Sequence, residues 1–277
     1  MNAASNPPDA TGPSGANLPD AAPSVRIEID DRRATLWLDR PPVNVLDLEA
    51  LAALQKAFEA LHARNDLQVL TIRGAGERAF SAGVAVEDHD PAFVDAMLGR
   101  FHGALRLLLD LPAVTIAAID GYCLGGGLEL AACCNLVIAT RRSRLGQPEI
   151  RLGCFPPVAA ALLPSIIGPG PAADLVLTGR TLTAEEAAQL GLVHRLVDDE
   201  DLDSSLDVLL GELMGHSAAV TRLATRALAA GDPRRPAFER ALAEAERLYR
   251  DELTSTDDLR EGVSAFLERR SPRWTHA

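Results

Sequence analysis

The hydrophobic pattern changes character near the middle of the chain. Val25-Arg-Ile-Glu-Ile-Asp30 alternates apolar and polar residues, and so does Ala34-Thr-Leu-Trp-Leu-Asp39 after a turn at Asp31-Arg-Arg33, which predicts a hairpin of half-buried strands. Apolar residues at helical spacing follow over Leu48–Ala63, then a strand over Val69–Arg73. A helix over about Pro91–Leu109 and a strand over Val114–Ile119 come next. A short helix is expected from three glycines to about Ala132, and a further strand over Asn135–Ala139. From about Pro157 onward Ala- and Leu-rich helical segments dominate, at 170–178, 183–190, 200–214, 217–230 and 235–269, broken by a short strand near Leu192–Leu196. Strands alternating with helices, followed by helices alone, imply an α/β core of repeated strand–strand–helix units with a helical C-terminal region. Residues 1–23 are mostly Pro, Ala, Ser, Asn, Gly and Asp, with little to bury, and are expected to form a disordered tail. The chain thus divides into a tail (1–23), a core (24–200) and a helical region (201–277).

Composition narrows the partners. Of 277 residues 47% are hydrophobic, which suits a soluble protein with one large core, and the net charge is −12, from 27 basic and 39 acidic residues. Such a surface repels phosphate backbones and anionic lipid, so neither nucleic acid nor membrane is an expected partner. The N-terminus lacks a basic region followed by an apolar run, and no apolar stretch reaches bilayer-spanning length, so a cytoplasmic protein is expected. Cys123, Cys133, Cys134 and Cys154 lie in apolar settings without a disulfide or zinc spacing, and read as reduced core thiols. No metal site is expected.

Several motifs fall away on inspection. Gly74-Ala-Gly76-Glu-Arg-Ala79 follows a strand like a dinucleotide fingerprint, but the β-like run Phe80–Val86 stands where the phosphate-binding helix should begin. There is no Gly-Lys-Ser/Thr loop, no His pair at i, i+4 beside a glutamate, and no Gly-x-Ser-x-Gly elbow. His89 reads as a solvated loop histidine.

What remains is Cys123-Leu-Gly-Gly-Gly-Leu-Glu129, with Gln147-Pro-Glu149 some twenty residues on. Three glycines cost about 0.5–1 kcal/mol each in backbone entropy. Their gain is close backbone approach, with N–H groups free to donate at a helix start, where negative charge is favoured. A tight turn between packed elements would use the same residues. Glu129 and Glu149 lie among apolar neighbours, and an enclosed carboxylate has its pKa pushed upward, toward proton transfer near neutrality. Two such carboxylates beside an anion-stabilising backbone suggest acid–base chemistry on a carbonyl compound.

At these residues the chain resembles the crotonase, or enoyl-CoA hydratase/isomerase, superfamily. The run Ala118–Ala131 is similar to its signature, as are Arg40–Leu46, Gly74–Gly83, Gly146–Ile150, Leu177–Ala187 and Gly191–Val193, in the family's order over about residues 25–200. The resemblance implies a crotonase-like spiral of ββα repeats with a helical C-terminal region that trimerises, alone or as a dimer of trimers. It implies an acyl-CoA thioester as substrate and no cofactor, coenzyme A being part of that substrate. It also implies an oxyanion hole made by the backbone N–H groups of Val84 and Gly126, with Glu129 and Glu149 positioning one water. The same resemblance puts coenzyme A and substrate against Val43, Val45, Ala82, Gly83 and Gly125. Since relatives with other activities often lack one of the two glutamates, retention of both favours hydration or dehydration of an α,β-unsaturated thioester.

Where many hydratases carry a Gly-rich loop, this chain has Phe155-Pro-Pro-Val, and it has Cys134-Asn135 where many carry Cys-Asp. Phe155 and Pro156 stiffen and fill that loop, which suits a flat ring. The combination resembles the branch that hydrates cyclohexa-1,5-diene-1-carbonyl-CoA to 6-hydroxycyclohex-1-ene-1-carbonyl-CoA. A straight-chain trans-2-enoyl-CoA hydratase is the alternative, and a non-catalytic acyl-CoA or RNA binder a further one. The RNA reading would want a lysine-rich helix, and Lys56 is the chain's one lysine.

Overall fold

A computed structural model describes residues 24–277, so the tail expected over 1–23 lies outside the described residues. The predicted hairpin is β1 (Val25–Asp30) and β2 (Arg33–Leu38), antiparallel. After α1 (Leu48–His62) the chain adopts a recurring path of strand, short strand and helix. The first pass is β3 (Val69–Gly74), β4 (Ala79–Ser81) and α2 (Val94–Asp110). The second is β5 (Val114–Ile119), β6 (Tyr122–Leu124) and α3 (Gly126–Ala132). The third is β7 (Leu136–Thr140), β8 (Arg144–Gly146) and α4 (Pro157–Ile166). Then come α5 (Pro169–Thr178), β9 (Thr181–Thr183), α6 (Ala184–Gln189) and β10 (Arg195–Val197). The chain closes with α7 (Leu202–Met214), α8 (Ala218–Gly231), α9 (Arg234–Arg247) and α10 (Asp257–Leu267).

Each pass places its long strand in one sheet and its short strand in another. The large sheet runs β1-β2-β3-β5-β7-β10 and the small one β4-β6-β8-β9. All neighbours from β2 to β10 in the large sheet are parallel, as are β4, β6 and β8 in the small one. This is the expected spiral of ββα units. The long strands were legible because both faces are covered: Leu70, Ile72 and Ala117 join the main core, while Val69, Ile116 and Ile138 pack under Leu202, Leu206 and Leu209 of α7.

Three expectations need correction. The short strands β6, β8 and β9 carry three residues each, too few for a period to show in the sequence. Phe155-Pro-Pro suggests a stiff loop, yet Pro157 is the first residue of α4, where a missing N–H costs nothing. The segment read as one helix over 235–269 is broken after α9 by a π-helical turn, Leu248–Glu252, and a 3-10 turn, Leu253–Ser255. The segment Phe80–Val86 is strand only through Ser81, and it does not open a helix of the kind a dinucleotide needs. All four cysteines are buried and unpaired.

Candidate active site

Three parallel strands of the small sheet end side by side, and each releases its chain into one cavity. Ala82–Val84 follow β4, Gly125 and Gly126 follow β6, and Gln147–Glu149 follow β8. Loops at the carboxyl ends of parallel strands are the usual place for a ligand in an open sheet. The cavity holds about 410 Å³, and both glutamates line it, together with Ala82, Gly83, Val84, Gly125, Gly126, Phe155 and Pro156. The helical region closes it, through Tyr249 of the π turn and Ala265 and Phe266 of α10.

The N–H groups around β4 are spoken for, with one exception. Ala82 N donates to Val43 O at 2.8 Å and Ala85 N to Leu46 O at 3.1 Å. Gly83 N donates to Ser81 Oγ at 3.1 Å, and that hydroxyl donates to Asn44 O at 2.7 Å. Asn44, buried and with φ of 54°, holds the strand end by donating to Ala79 O at 2.8 Å and Ala75 O at 2.9 Å. Among the described residues Val84 N–H has no protein acceptor. The same holds across the gap: Gly125 N donates to Gly146 O at 2.9 Å, whereas Gly126 N–H has none. A Cβ on Gly83 would stand 3.1 Å from Gly126 N, so the two segments touch. Gly125 has φ of 52°, and a Cβ there would meet Glu149 Oε1 at 2.5 Å. Glycine is therefore required at Gly125 both for the turn and for the carboxylate beside it.

Glu129 projects from α3 and is 4% exposed. Its Oε1 accepts from Ala159 N at 2.7 Å, at the start of α4. Burial pushes its pKa up to about 7, against the pull of the Ala159 and Val158 N–H groups. Glu149 opens the 3-10 turn Glu149–Leu152 and is 8% exposed. Burial, then the charge of Glu129, raises it well above the ordinary carboxylate range. The Gln147 amide faces it. With its nitrogen toward Glu149 it donates to the two oxygens at 3.2 and 3.1 Å. Turned the other way, its oxygen can accept from a protonated Glu149.

Other expectations fare differently. Val43 and Val45 are not in the cavity wall; their segment supports it from behind, through Val43 O and Leu46. His89 is not solvated. It is buried against the cavity, its Nδ1 bonded to Ala85 O at 2.9 Å, and burial lowers its pKa. Asn135 is not at the cavity but ties β7 to β5, accepting from Thr115 N at 2.9 Å. Asn44, Ser81 and Tyr249 are not among the expected site residues; the first two lie in the motifs Arg40–Leu46 and Gly74–Gly83, which could flag them, while a lone tyrosine in a helical stretch carries no such signal. Among the described residues no cluster suited to a metal ion occurs, and no helix is long and apolar enough to cross a membrane.

The sequence model of the family described as enoyl-CoA hydratase/isomerase matches residues 30–277. The chain belongs to this family. It is 36% identical over 250 residues to a cyclohexa-1,5-dienecarbonyl-CoA hydratase of Thauera aromatica, covering 90% of this chain and 95% of that protein. It is 33% identical over 258 residues to a crotonyl-CoA hydratase of Syntrophomonas wolfei, covering 89% and 96%. The crystal structure of an enoyl-CoA hydratase from Mycobacterium avium subsp. paratuberculosis superposes with a TM-score of 0.82 at 24% identity, over 91% of this chain and 98% of that one, and so shares the fold. The expectation of an acyl-CoA hydratase with a crotonase fold is met.

Proposed function

We propose that this hydratase adds water to cyclohexa-1,5-diene-1-carbonyl-CoA to form 6-hydroxycyclohex-1-ene-1-carbonyl-CoA. The observation that carries the chemistry is one cavity with two N–H groups lacking acceptors, Val84 and Gly126, beside two buried carboxylates. The thioester oxygen accepts from both N–H groups, which are preorganised for the charge that develops there. Glu129, held toward the anionic form by Ala159 N–H, takes a proton from water as its oxygen bonds to the β-carbon. The electron pair of the conjugated system moves onto the thioester oxygen and returns as Glu149, protonated, gives its proton to carbon. The spent pair, Glu129 protonated and Glu149 anionic, is restored by return of one proton. Water, two carboxylates and two amides suffice, and coenzyme A enters as part of the substrate. Four buried, unpaired thiols support a reducing, cytoplasmic setting.

The cyclic substrate is supported by the name of the Thauera aromatica relative and by a wall of Phe101, Phe155, Pro156 and Tyr249, a rigid surface for a flat ring. The Syntrophomonas wolfei relative favours the straight-chain reading. Side-by-side incubation with cyclohexadienoyl-CoA and crotonyl-CoA, with products followed by mass, decides between them. A higher kcat/KM on the diene is expected; a higher value on crotonyl-CoA would reverse the choice, and no water addition to either would remove the catalytic reading. We further propose that the 201–277 region trimerises, singly or as a dimer of trimers. The exposed stripe of Val220, Leu223 and Leu228 on α8 supports this, and light scattering tests it.

A further inference from the structure

The two carboxyls of the cavity differ in what fixes them. Glu129 leaves a regular helix and accepts from Ala159 N at 2.7 Å, whereas Glu149 rides on a 3-10 turn of four residues. Such a turn has poorer hydrogen-bond geometry than an α-helix, so its place depends on what packs against it.

What packs against it is α10. Gly262, buried in that helix, lies so close that a Cβ there would overlap the Leu152 carbonyl and stand 3.0 Å from Gly153 N. From the other side, Gly153 has φ of 71°, and a Cβ on it would stand 2.5 Å from Asp258 O and 3.1 Å from Trp274 Cζ3. The two glycines thus bring helix and turn together backbone to backbone, with no side chain between them to absorb a change. The contact reaches Glu149 itself, since Cys154 N and Cys154 Sγ both donate to Glu149 O, at 3.3 and 3.4 Å.

α10 has little room to retreat. Leu259 and Val263 belong to the main core, and Thr256 Oγ1 caps the helix by accepting from Leu259 N at 3.2 Å. The residues after the helix fold back and tie it down: Asp258 accepts from Thr275 N at 2.6 Å and His276 N at 3.0 Å, and Glu261 from Arg273 N at 2.6 Å. These bonds hold Trp274 against Gly153. The preceding helical run is anchored too, His102 Nδ1 of α2 bonding Glu246 Oε1 of α9 at 2.6 Å.

We propose that Gly262 and Gly153 are positioning residues for the reaction, through which α10 sets where Glu149 stands against the substrate. Ala265 and Phe266 of the same helix line the cavity, so one element both closes the site and aims its acid. Because the helix is anchored, a carbon added at Gly262 displaces the turn, and a misplacement of about 1 Å in a reacting group can cost about 10²-fold. This role rests on the reading of Glu149 as the proton donor.

A double-mutant cycle on kcat tests it, with crotonyl-CoA and cyclohexadienoyl-CoA as substrates. Gly262→Ala should lower kcat by about 10–10²-fold. Trp274→Ala, which removes the wedge without adding an atom, should lower it severalfold. In a Glu149→Gln background neither should cost more than about twofold, because the group they position is gone. Calorimetric affinity for unreactive butanoyl-CoA should stay close to that of wild type, since the N–H groups of Val84 and Gly126 lie on other segments. Gly211→Ala on α7, where an added carbon meets nothing within 4 Å, should leave kcat unchanged. Near-wild-type kcat in Gly262→Ala, an equal loss with and without Glu149, or binding that weakens as far as kcat falls would overturn the positioning role while leaving the acid reading intact. Wild-type turnover in Glu149→Gln would overturn both. If Gly262→Ala does not fold, Trp274→Ala carries the same comparison.

Discussion

Glu129 and Glu149 are the same side chain, almost equally buried in one cavity, and the regions carrying them treat them differently. Glu129 leaves a regular helix and meets the start of a second one. Because Pro157 has no N–H, the first donors of α4 are Val158 and Ala159, and Glu129 receives them, with the favourable end of the helix dipole behind. Glu149 sits in a short 3-10 turn, faces an amide that can serve either protonation state, and feels the charge of Glu129. Two carboxyls buried this deeply beside each other hold one negative charge far more readily than two. The difference between the regions supports the roles proposed above, Glu129 as the proton acceptor and Glu149 as the proton donor.

The strongest way to break this comparison is to neutralise each member. Glu129→Gln and Glu149→Gln should each lower kcat by about 10²–10⁴-fold, the usual contribution of a positioned acid or base. Near-wild-type turnover in either variant would remove that residue from the chemistry. Next in size is the cradle both serve. Gly126→Pro deletes one donor and should cost about 10²–10³ in kcat, whereas Gly126→Ala keeps the N–H and isolates the effect of the added carbon. Equal rates in the two variants would show that crowding against Val84 and Phe101, not the lost donor, explains the defect.

The pH profile sharpens the assignment with a smaller effect. Activity should fall below about pH 7 as Glu129 is protonated, and fall again at higher pH as Glu149, its pKa raised by burial and by the charge of Glu129, loses its proton. Because the two titrate as a pair, the limbs report the pair, and the variants separate them. Glu149→Gln should lose the alkaline limb and Glu129→Gln the acid one; the reverse would exchange the roles. The smallest effect is on stability. Each carboxyl has a folded pKa raised above its unfolded value, so the native state binds more protons, and stability falls as pH rises from the unfolded value through the folded one. For Glu129 the rise from 4.5 to about 7 corresponds to about 3 kcal/mol at roughly 1.36 kcal/mol per unit. Glu129→Gln should therefore raise Tm by several degrees at pH 8 and much less at pH 5. An equal change at both would show that packing, not ionisation, sets the difference.

Much of this arrangement was legible along the chain. Six-residue strands such as β3 and β5 announce themselves as apolar runs, and α1 by its spacing. The three-residue strands β6 and β8 do not, although they are what bring Gly126 and Glu149 together. The glycine run and both glutamates stood out by composition and by resemblance. His102 and Glu246 lie 144 positions apart, and nothing local links them. Tyr249 in a Leu-rich helical stretch reads as core until the π turn aims it at the cavity.

By itself, then, the sequence determined the long strands and most of the helices, and it supplied the chemical groups: glycines that permit close approach, two carboxylates, and a net negative charge. Those follow from local periodicity, backbone freedom and charge, which a linear string records. Tertiary structure alone decided that Val84 and Gly126 bring N–H groups without protein acceptors to one cavity, and that two carboxyls share it with their pKa values raised by burial. Hydrogen-bond occupancy and desolvation depend on what distant segments place alongside a residue, and only the fold contains that information.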